Sequence, residues 1–256
     1  MQRVLVTGAA KGIGRAVAEA FAAQGAALVL MDVDKVGLAD AADALGTAAR
    51  IEFVVGSVAN STDCETAAKL AQSAFGGLDA LSHNAGIQTY GTLETTDEEL
   101  WDRTLGVNLK GAFLISKATI AMLRESRGAV VHMASVQGMA SQAGVTAYSV
   151  SKHGLIGLVH SMAIDYAPYG VRVNGVAPGS VDTPMLRASL ALAANPEDVW
   201  AEIRHMHPLG RSAKPSEIAD AVVFLASDKA SFITGEVLRI DGGMLAGLGG
   251  SPKKNG

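Results

Sequence analysis

Cysteine is almost missing from this chain: Cys64 is the only one in 256 residues. A lone thiol excludes an intrachain disulfide framework and any Cys-x-x-Cys metal or redox motif, and it suits a reducing compartment. An excess of positive charge is missing too. Lys and Arg number 21 against 25 Asp and Glu, a net charge of −4, and no basic run is longer than Lys253-Lys254. No nucleic-acid footprint is therefore expected. The most apolar stretch, Ala16 to Met31, is interrupted by Glu19, Gln24 and Gly25, so no run reaches the ~18 apolar residues of a membrane span. No charged leader followed by an apolar segment and a cleavage site is visible, so no signal peptide is read. These absences predict a soluble, cytoplasmic protein without a nucleic-acid or membrane partner.

What is present is a rhythm. Short apolar blocks at Arg3–Val6, Ala27–Met31, Ile51–Val54, Ala80–Ser82, Ala129–Met133, Arg172–Val176 and Val237–Ile240 read as strands covered on both faces. Between them, Ile13–Gln24, Lys35–Leu45, Ser61–Phe75, Asp97–Arg124, Ala147–Tyr166 and Ser216–Ala226 read as helices. The alternation predicts an α/β fold: a single Rossmann-type, doubly wound parallel sheet with helices on both faces. No linker divides it, so residues 1–246 are expected to form one dinucleotide-binding and catalytic domain. Residues 183–208, with Pro184, Pro196 and Pro208, make too long a connection to be plain, and are expected to be a partly helical substrate lid. The Gly-, Ser-, Pro- and Lys-rich tail 247–256 is expected to be flexible.

Three motifs carry chemistry. The first strand runs into Thr7-Gly8-Ala9-Ala10-Lys11-Gly12-Ile13-Gly14. Such glycines permit a tight turn and the close approach of a pyrophosphate to a helix N-terminus. The spacing departs from the common G-x-G-x-x-G, and alone the turn is equally an ordinary strand–helix connection. Asp32 ends the second strand about 20 residues on, where a carboxylate accepts the ribose hydroxyls and repels a 2′-phosphate, favouring NAD over NADP. Lys11 argues mildly for NADP. Tyr148 and Lys152 lie four apart on one helix face, and Ser135 follows a strand end. A phenol of pKa ~10 needs a shift of ~3 units, or ~4 kcal/mol, to act as a base at neutral pH. An ammonium ~4 Å away supplies a gross ~4 kcal/mol at an effective dielectric of ~20. Alone, a Tyr-x-x-x-Lys pair is more often a helix surface pair.

Taken together, these elements resemble the short-chain dehydrogenase/reductase family in its classical form, over roughly residues 2–245. Thr7–Gly14 matches its cofactor turn, and His83-Asn84-Ala85-Gly86 resembles its Asn-Asn-Ala-Gly strand end. Asn108, Ser135, Tyr148 and Lys152 match its catalytic tetrad in order and spacing, and Pro178-Gly179 followed by Thr183 resembles its nicotinamide-contacting segment. The resemblance implies that Tyr148 takes the alcohol proton and Ser135 hydrogen-bonds the substrate oxygen. Lys152 would lower the Tyr148 pKa and hold the nicotinamide ribose, with Asn108 supporting a water-linked relay behind it. It places the cofactor against Gly8, Lys11, Gly12, Ile13, Gly14, Asp32, Val33, Ser57, Val58, Asn84, Ala85, Gly86, Tyr148, Lys152, Pro178, Gly179, Val181 and Thr183.

Two departures stand out. Ser57-Val58 occupies the place of an Asp-apolar pair that contacts adenine, and His83 replaces the first Asn, where it is read as a backbone-bonding substitute without chemistry. The scattered histidines, His205-x-His207 included, lack a partner at metal-site spacing, so no metal is expected. Gln88, Gln137, Gln142 and Met185, with Ser135 and Tyr148, are the expected substrate contacts; Tyr90, Met139, Gly179, Trp200 and His205 fall in the same region. The glutamines suggest a sugar, polyol or related secondary alcohol. The resulting expectation is an NAD-dependent oxidoreductase. An NADP-dependent carbonyl or 3-oxoacyl thioester reductase is the alternative, and a non-catalytic dinucleotide-sensing scaffold is a further one. Apolar residues beyond one stripe on the two longest helices (Leu105, Ala112, Phe113, Ile115 and Ala118; Leu155, Ile156, Leu158, Val159 and Met162) suggest a second buried face. The resemblance makes that face the interface of a homotetramer.

Overall fold

The computed structural model describes residues 2–46, 50–191 and 193–247. Seven strands, β1 (Arg3–Thr7), β2 (Ala27–Asp32), β3 (Ile51–Val55), β4 (Ala80–His83), β5 (Ala129–Met133), β6 (Arg172–Pro178) and β7 (Val237–Ile240), form one sheet. All are parallel in the order β3-β2-β1-β4-β5-β6-β7. The five inner strands are apolar on both faces because helices cover both; the edge strands β3 and β7 expose part of theirs.

Helices α1 (Gly12–Ala23), α2 (Lys35–Leu45) and α9 (Pro215–Ala226) cover one face around Phe21, Leu38 and Ile218. On the other face lie α3 (Ser61–Phe75), α5 (Gly111–Ser126) and α6 (Thr146–Tyr166), packed around Ile115, Leu123 and Val159. The order of connection reverses between β1 and β4, which opens a crevice at the carboxyl ends of these strands. Among the described residues no helix is long and apolar enough to cross a membrane.

The structure corrects one element. Asp97–Arg124 is not a continuous helix: α4 (Glu98–Leu105) passes through a π-helical turn, Gly106–Lys110, into α5. The buried Asn108 sits in that turn and bonds backbone elsewhere, which holds the ladder in its wider form. The segment after β6 folds as two helices, α7 (Pro184–Leu190) and α8 (Pro196–Met206), capped by Thr183 and Asn195. Of the tail expected to be flexible, residues 248–256 lie outside the described residues, and Gly247 is exposed.

Candidate functional site

The crevice begins where β1 ends. Gly8 and Gly12 adopt φ of 65° and 61°, a region that side chains disfavour. A Cβ on Gly14 would collide with the Gly8 carbonyl, and one on Gly8 would lie 2.9 Å from the Ala85 nitrogen. The glycines therefore let the turn fold back onto α1 while the end of β4 closes against it. Ile13 packs into the core of this face. Helix α1 starts without a side-chain cap and without an acid in its first turn, so its leading N–H groups remain free for an anion.

Asp32, at the end of β2, is held from both sides. Its Oδ2 accepts the Ala10 N–H at 3.1 Å and its Oδ1 the Asp34 N–H at 3.0 Å. Lys11 is turned towards Asp34, with Nζ 3.6 Å from Oδ2, so its charge is partly balanced there. Val33 is exposed. Ser57, the expected adenine contact, accepts the Ala59 N–H on Oγ and donates its own N–H to Asp63 Oδ2 at 2.9 Å, which leaves the hydroxyl hydrogen free to donate. Asp63 was not singled out in the sequence. It shapes this turn because α3 begins two residues before it. The Val58 side chain is buried against Gly111.

At the end of β4, the Asn84 amide donates to the Ser82 carbonyl, an obligate acceptor, and its Oδ1 is left buried without a protein partner. With the glycine turn and the uncapped α1, this acceptor fits a dinucleotide lying across the switch point. His83 differs from expectation: its partner is a side chain, not backbone. Thr7 Oγ1 receives the Asn84 and Ala85 N–H groups at 3.1 and 3.2 Å, so its own hydrogen goes to His83 Nδ1 at 2.9 Å. His83 is thus neutral, with its proton on Nε2, and its ring meets His132 edge-on with centroids 5.5 Å apart.

Burial pushes both histidines down, His83 well below 6.5 and His132 to about 3, with Lys152 adding repulsion. An unfolded chain takes up these protons near pH ~6.5 while the folded one refuses them, so stability is lost as pH falls below that value. Each histidine is expected to contribute a loss of about 2 kcal/mol between pH 7 and pH 5. Urea unfolding at the two pH values measures it. His132→Phe should remove about 2 kcal/mol of this loss, and an undiminished dependence would place its origin elsewhere.

On the far side of the crevice, Ser135 follows β5. Its Oγ accepts the Gln137 N–H at 3.1 Å, which frees its hydrogen to donate. Burial pushes the phenol of Tyr148, on α6, up to about 12, and the neighbouring Ser135 hydroxyl opposes this. Lys152 Nζ donates to the Met133 carbonyl at 2.7 Å and lies 5.6 Å from the Tyr148 ring centroid. Burial brings the ammonium down to about 8, so it still carries its charge at neutral pH.

Asn108 spends its side chain on structure. Oδ1 accepts the Ile87 N–H at 2.8 Å, and Nδ2 donates to the Ile87 carbonyl at 2.9 Å and to Ser151 Oγ at 3.0 Å. A Cβ on Gly86 would meet Asn108 Oδ1 and Lys152 Nζ at 3.3 and 3.7 Å, so these three groups converge. Asn108→Ala is expected to strand both Ile87 groups at a cost of about 3 kcal/mol, lowering Tm by roughly 10 °C by calorimetry. An unchanged Tm would show that water replaces the amide.

Two of the expected substrate glutamines come together. Gln137 donates to Gln142 at 2.9 Å, and its Oε1 is buried and unpartnered. Gln88 is half-buried, and Met185 is exposed at the start of α7. The nicotinamide-side segment is close to the turn: Pro178 ends β6, Gly179 and the buried Val181 follow, and a Cβ on Gly12 would lie 3.6 Å from Thr183. The Thr183 hydroxyl caps α7 through Leu186. The arrangement therefore places a phenol, a hydroxyl donor and a buried ammonium at one wall of a crevice with the glycine turn and the uncapped start of α1 at the other.

The sequence pattern of a family described as enoyl-(acyl carrier protein) reductase matches residues 8–245. A 2-(S)-hydroxypropyl-CoM dehydrogenase of Xanthobacter autotrophicus is 38% identical over 246 residues, covering 95% of this chain and 96% of the relative. A 3-oxoacyl-[acyl-carrier-protein] reductase of Thermotoga maritima is 36% identical over 243 residues, covering 94% and 96%. The solved structure of Thermoplasma acidophilum aldohexose dehydrogenase superposes with a TM-score of 0.90 at 36% identity, covering 99% of this chain and 97% of that one. The parallel sheet, the glycine turn facing Asn84–Gly86 and these full-length matches lead to one assignment: this chain belongs to the short-chain dehydrogenase/reductase family, oxidoreductases that act on CH–OH groups with a nicotinamide dinucleotide.

Proposed function

We propose that this protein is an NAD-dependent dehydrogenase of a polar secondary alcohol. The observation that carries the reading is the approach of Tyr148, Lys152 and Ser135 to one another at the end of β5, with Lys152 Nζ 5.6 Å from the Tyr148 ring, in a crevice whose far end is marked by the clamped carboxylate of Asp32. Asp32 would accept the ribose hydroxyls and reject a 2′-phosphate, and the Lys11–Asp34 pair weakens the one cation that favours NADP. Gly8, Gly12 and Gly14 would admit the pyrophosphate to the N-terminus of α1, and Asn84 Oδ1 offers an acceptor along the cofactor's path.

When bound, the nicotinamide accepts the hydride from the carbinol carbon. Ser135 would donate to the substrate oxygen and so fix its distance from Tyr148. Tyr148 would take the hydroxyl proton in oxidation and return it in reduction. Its resting position, pushed up to about 12, suits the donor; service as a base requires added positive charge. Lys152, charged at neutral pH beside the ring, supplies part of that charge and has further N–H groups for the ribose. Asn108 would act through the geometry of its π-helical turn, which holds the crevice wall opposite Gly86.

The unpartnered Gln137 Oε1 supports a substrate that brings its own hydroxyl donor, such as a sugar or polyol. Helices α7 and α8 would cover it and exclude water. The solvent-facing Phe113, Val150 and Ile164 on α5 and α6 support burial between subunits of a homotetramer, which sedimentation measures directly. The test of the activity is a panel followed by nicotinamide absorbance. Aldoses and polyols with NAD are expected to turn over, and 3-oxoacyl thioesters with NADPH are not. The reverse pattern would establish the reductase reading instead.

A further inference from the structure

His207 lies at the end of α8, away from the Tyr148 wall, and is 3% exposed. Both of its ring nitrogens are taken by backbone. The Ile203 carbonyl can only accept, so Nδ1, 2.7 Å away, carries a proton and donates. The Ser180 N–H can only donate, so Nε2, 3.1 Å away, is bare and accepts. The two contacts admit only the neutral ring protonated on Nδ1. One caps the last turn of α8; the other crosses to the segment that leaves β6.

The ring also occupies the space beside that segment. A Cβ on Gly179 would lie 2.6 Å from Nε2, and one on Gly242 would lie 3.5 Å from the His207 Cβ. Gly179 bonds back to the Ile240 carbonyl, and the Leu209 N–H bonds the Gly242 carbonyl. Nearby, Ala213 donates to Ser180 and accepts from Asp182, both at 2.9 Å. The excursion containing α7 and α8 is thus pinned at its base: Val181 and Ala213 bridge its roots, and His207 ties α8 to the Gly179–Ser180 turn.

We propose that His207 is a positioning residue that sets the Gly179–Ser180 turn by the position of the α7–α8 cover, so that the cofactor-facing segment and the cover move together. The proposal rests on the cofactor reading above, because that reading places the nicotinamide against this segment. A helix cap alone would need only the Ile203 contact. The Ser180 contact, with the glycine that accommodates it, is what joins the two elements.

Two substitutions separate these roles, because each reproduces one nitrogen. His207→Gln places an acceptor near the Nε2 position and keeps the Ser180 link; His207→Asn places a donor near Nδ1 and keeps the cap. The readouts are NADH affinity by fluorescence titration and amide hydrogen exchange at Ser180. His207→Gln is expected to bind NADH within about twofold of wild type, whereas His207→Asn loses about tenfold and exchanges Ser180 faster. The opposite ranking, or equal behaviour of the two variants, would overturn the proposal. So would a nitrogen NMR signature of the Nε2-protonated ring in the wild type. A wild type that binds neither NADH nor NADPH overturns the cofactor reading itself, and this proposal with it.

Discussion

Tyr148→Phe is expected to lower kcat/KM about a thousandfold while leaving NADH affinity within about twofold of wild type. The substitution removes one oxygen and leaves the ring in place, so it isolates proton transfer from packing. Ser135 lies beside the phenol, and its Oγ accepts the Gln137 N–H, which leaves its own hydrogen to donate. Without the phenol the hydride has no partnered proton movement, and what remains is alignment of substrate and cofactor. Because burial holds the phenol up at about 12, oxidation is also expected to rise with pH through the neutral range, as base form becomes available. Steady-state kinetics with the panel substrate checks both statements. A variant that keeps more than about a tenth of the rate would move the proton-transferring role away from Tyr148.

Asp32→Ala is expected to reverse the cofactor preference. The carboxylate is held by the Ala10 and Asp34 N–H groups, so it meets a ribose without reorganising. Loss of charged hydrogen bonds to the two hydroxyls amounts to about 2 kcal/mol, or roughly 30-fold in NADH affinity. Removing the negative charge also frees the site for a 2′-phosphate, so NADPH affinity is expected to rise several-fold. Lys11 would then meet the 2′-phosphate with its Asp34 partner as the carboxylate beside it. Paired titrations of wild type and variant with both nucleotides give the ratio. An unchanged ratio would show that specificity is set elsewhere.

Most of the fold was legible in the sequence. Every strand block of about five apolar residues appears as a strand, because parallel strands buried on both faces leave no polar alternation to misread. The glycine turn was legible because its backbone demands are local. What escaped was non-local. The apolar pattern runs through Gly106–Lys110 without a break, since the π-helical turn is held by Asn108 bonding Ile87 from another part of the chain. Spacing correctly put Tyr148 and Lys152 on one helix, yet the Lys152 ammonium bonds a β5 carbonyl that no helical periodicity reveals. His83 reads in the sequence as a backbone-bonding substitute, whereas its bond to Thr7 depends on the β1–β4 register. Sequence spacing offers His207 only as half of a metal-like His-x-His pair. Its role shows once Gly179, Ser180 and Ile203 are seen around one ring.

If the clamped Asp32 makes this crevice an NAD site, the wild-type protein itself tells the two nucleotides apart. Titration with NADH and NADPH, followed by nicotinamide fluorescence, measures the difference. NADH is expected to bind at least about tenfold more tightly, one missing charged contact and one repulsion separating the two. Tighter binding of NADPH would contradict it, and would assign the site to reductive chemistry with Lys11 as the deciding charge.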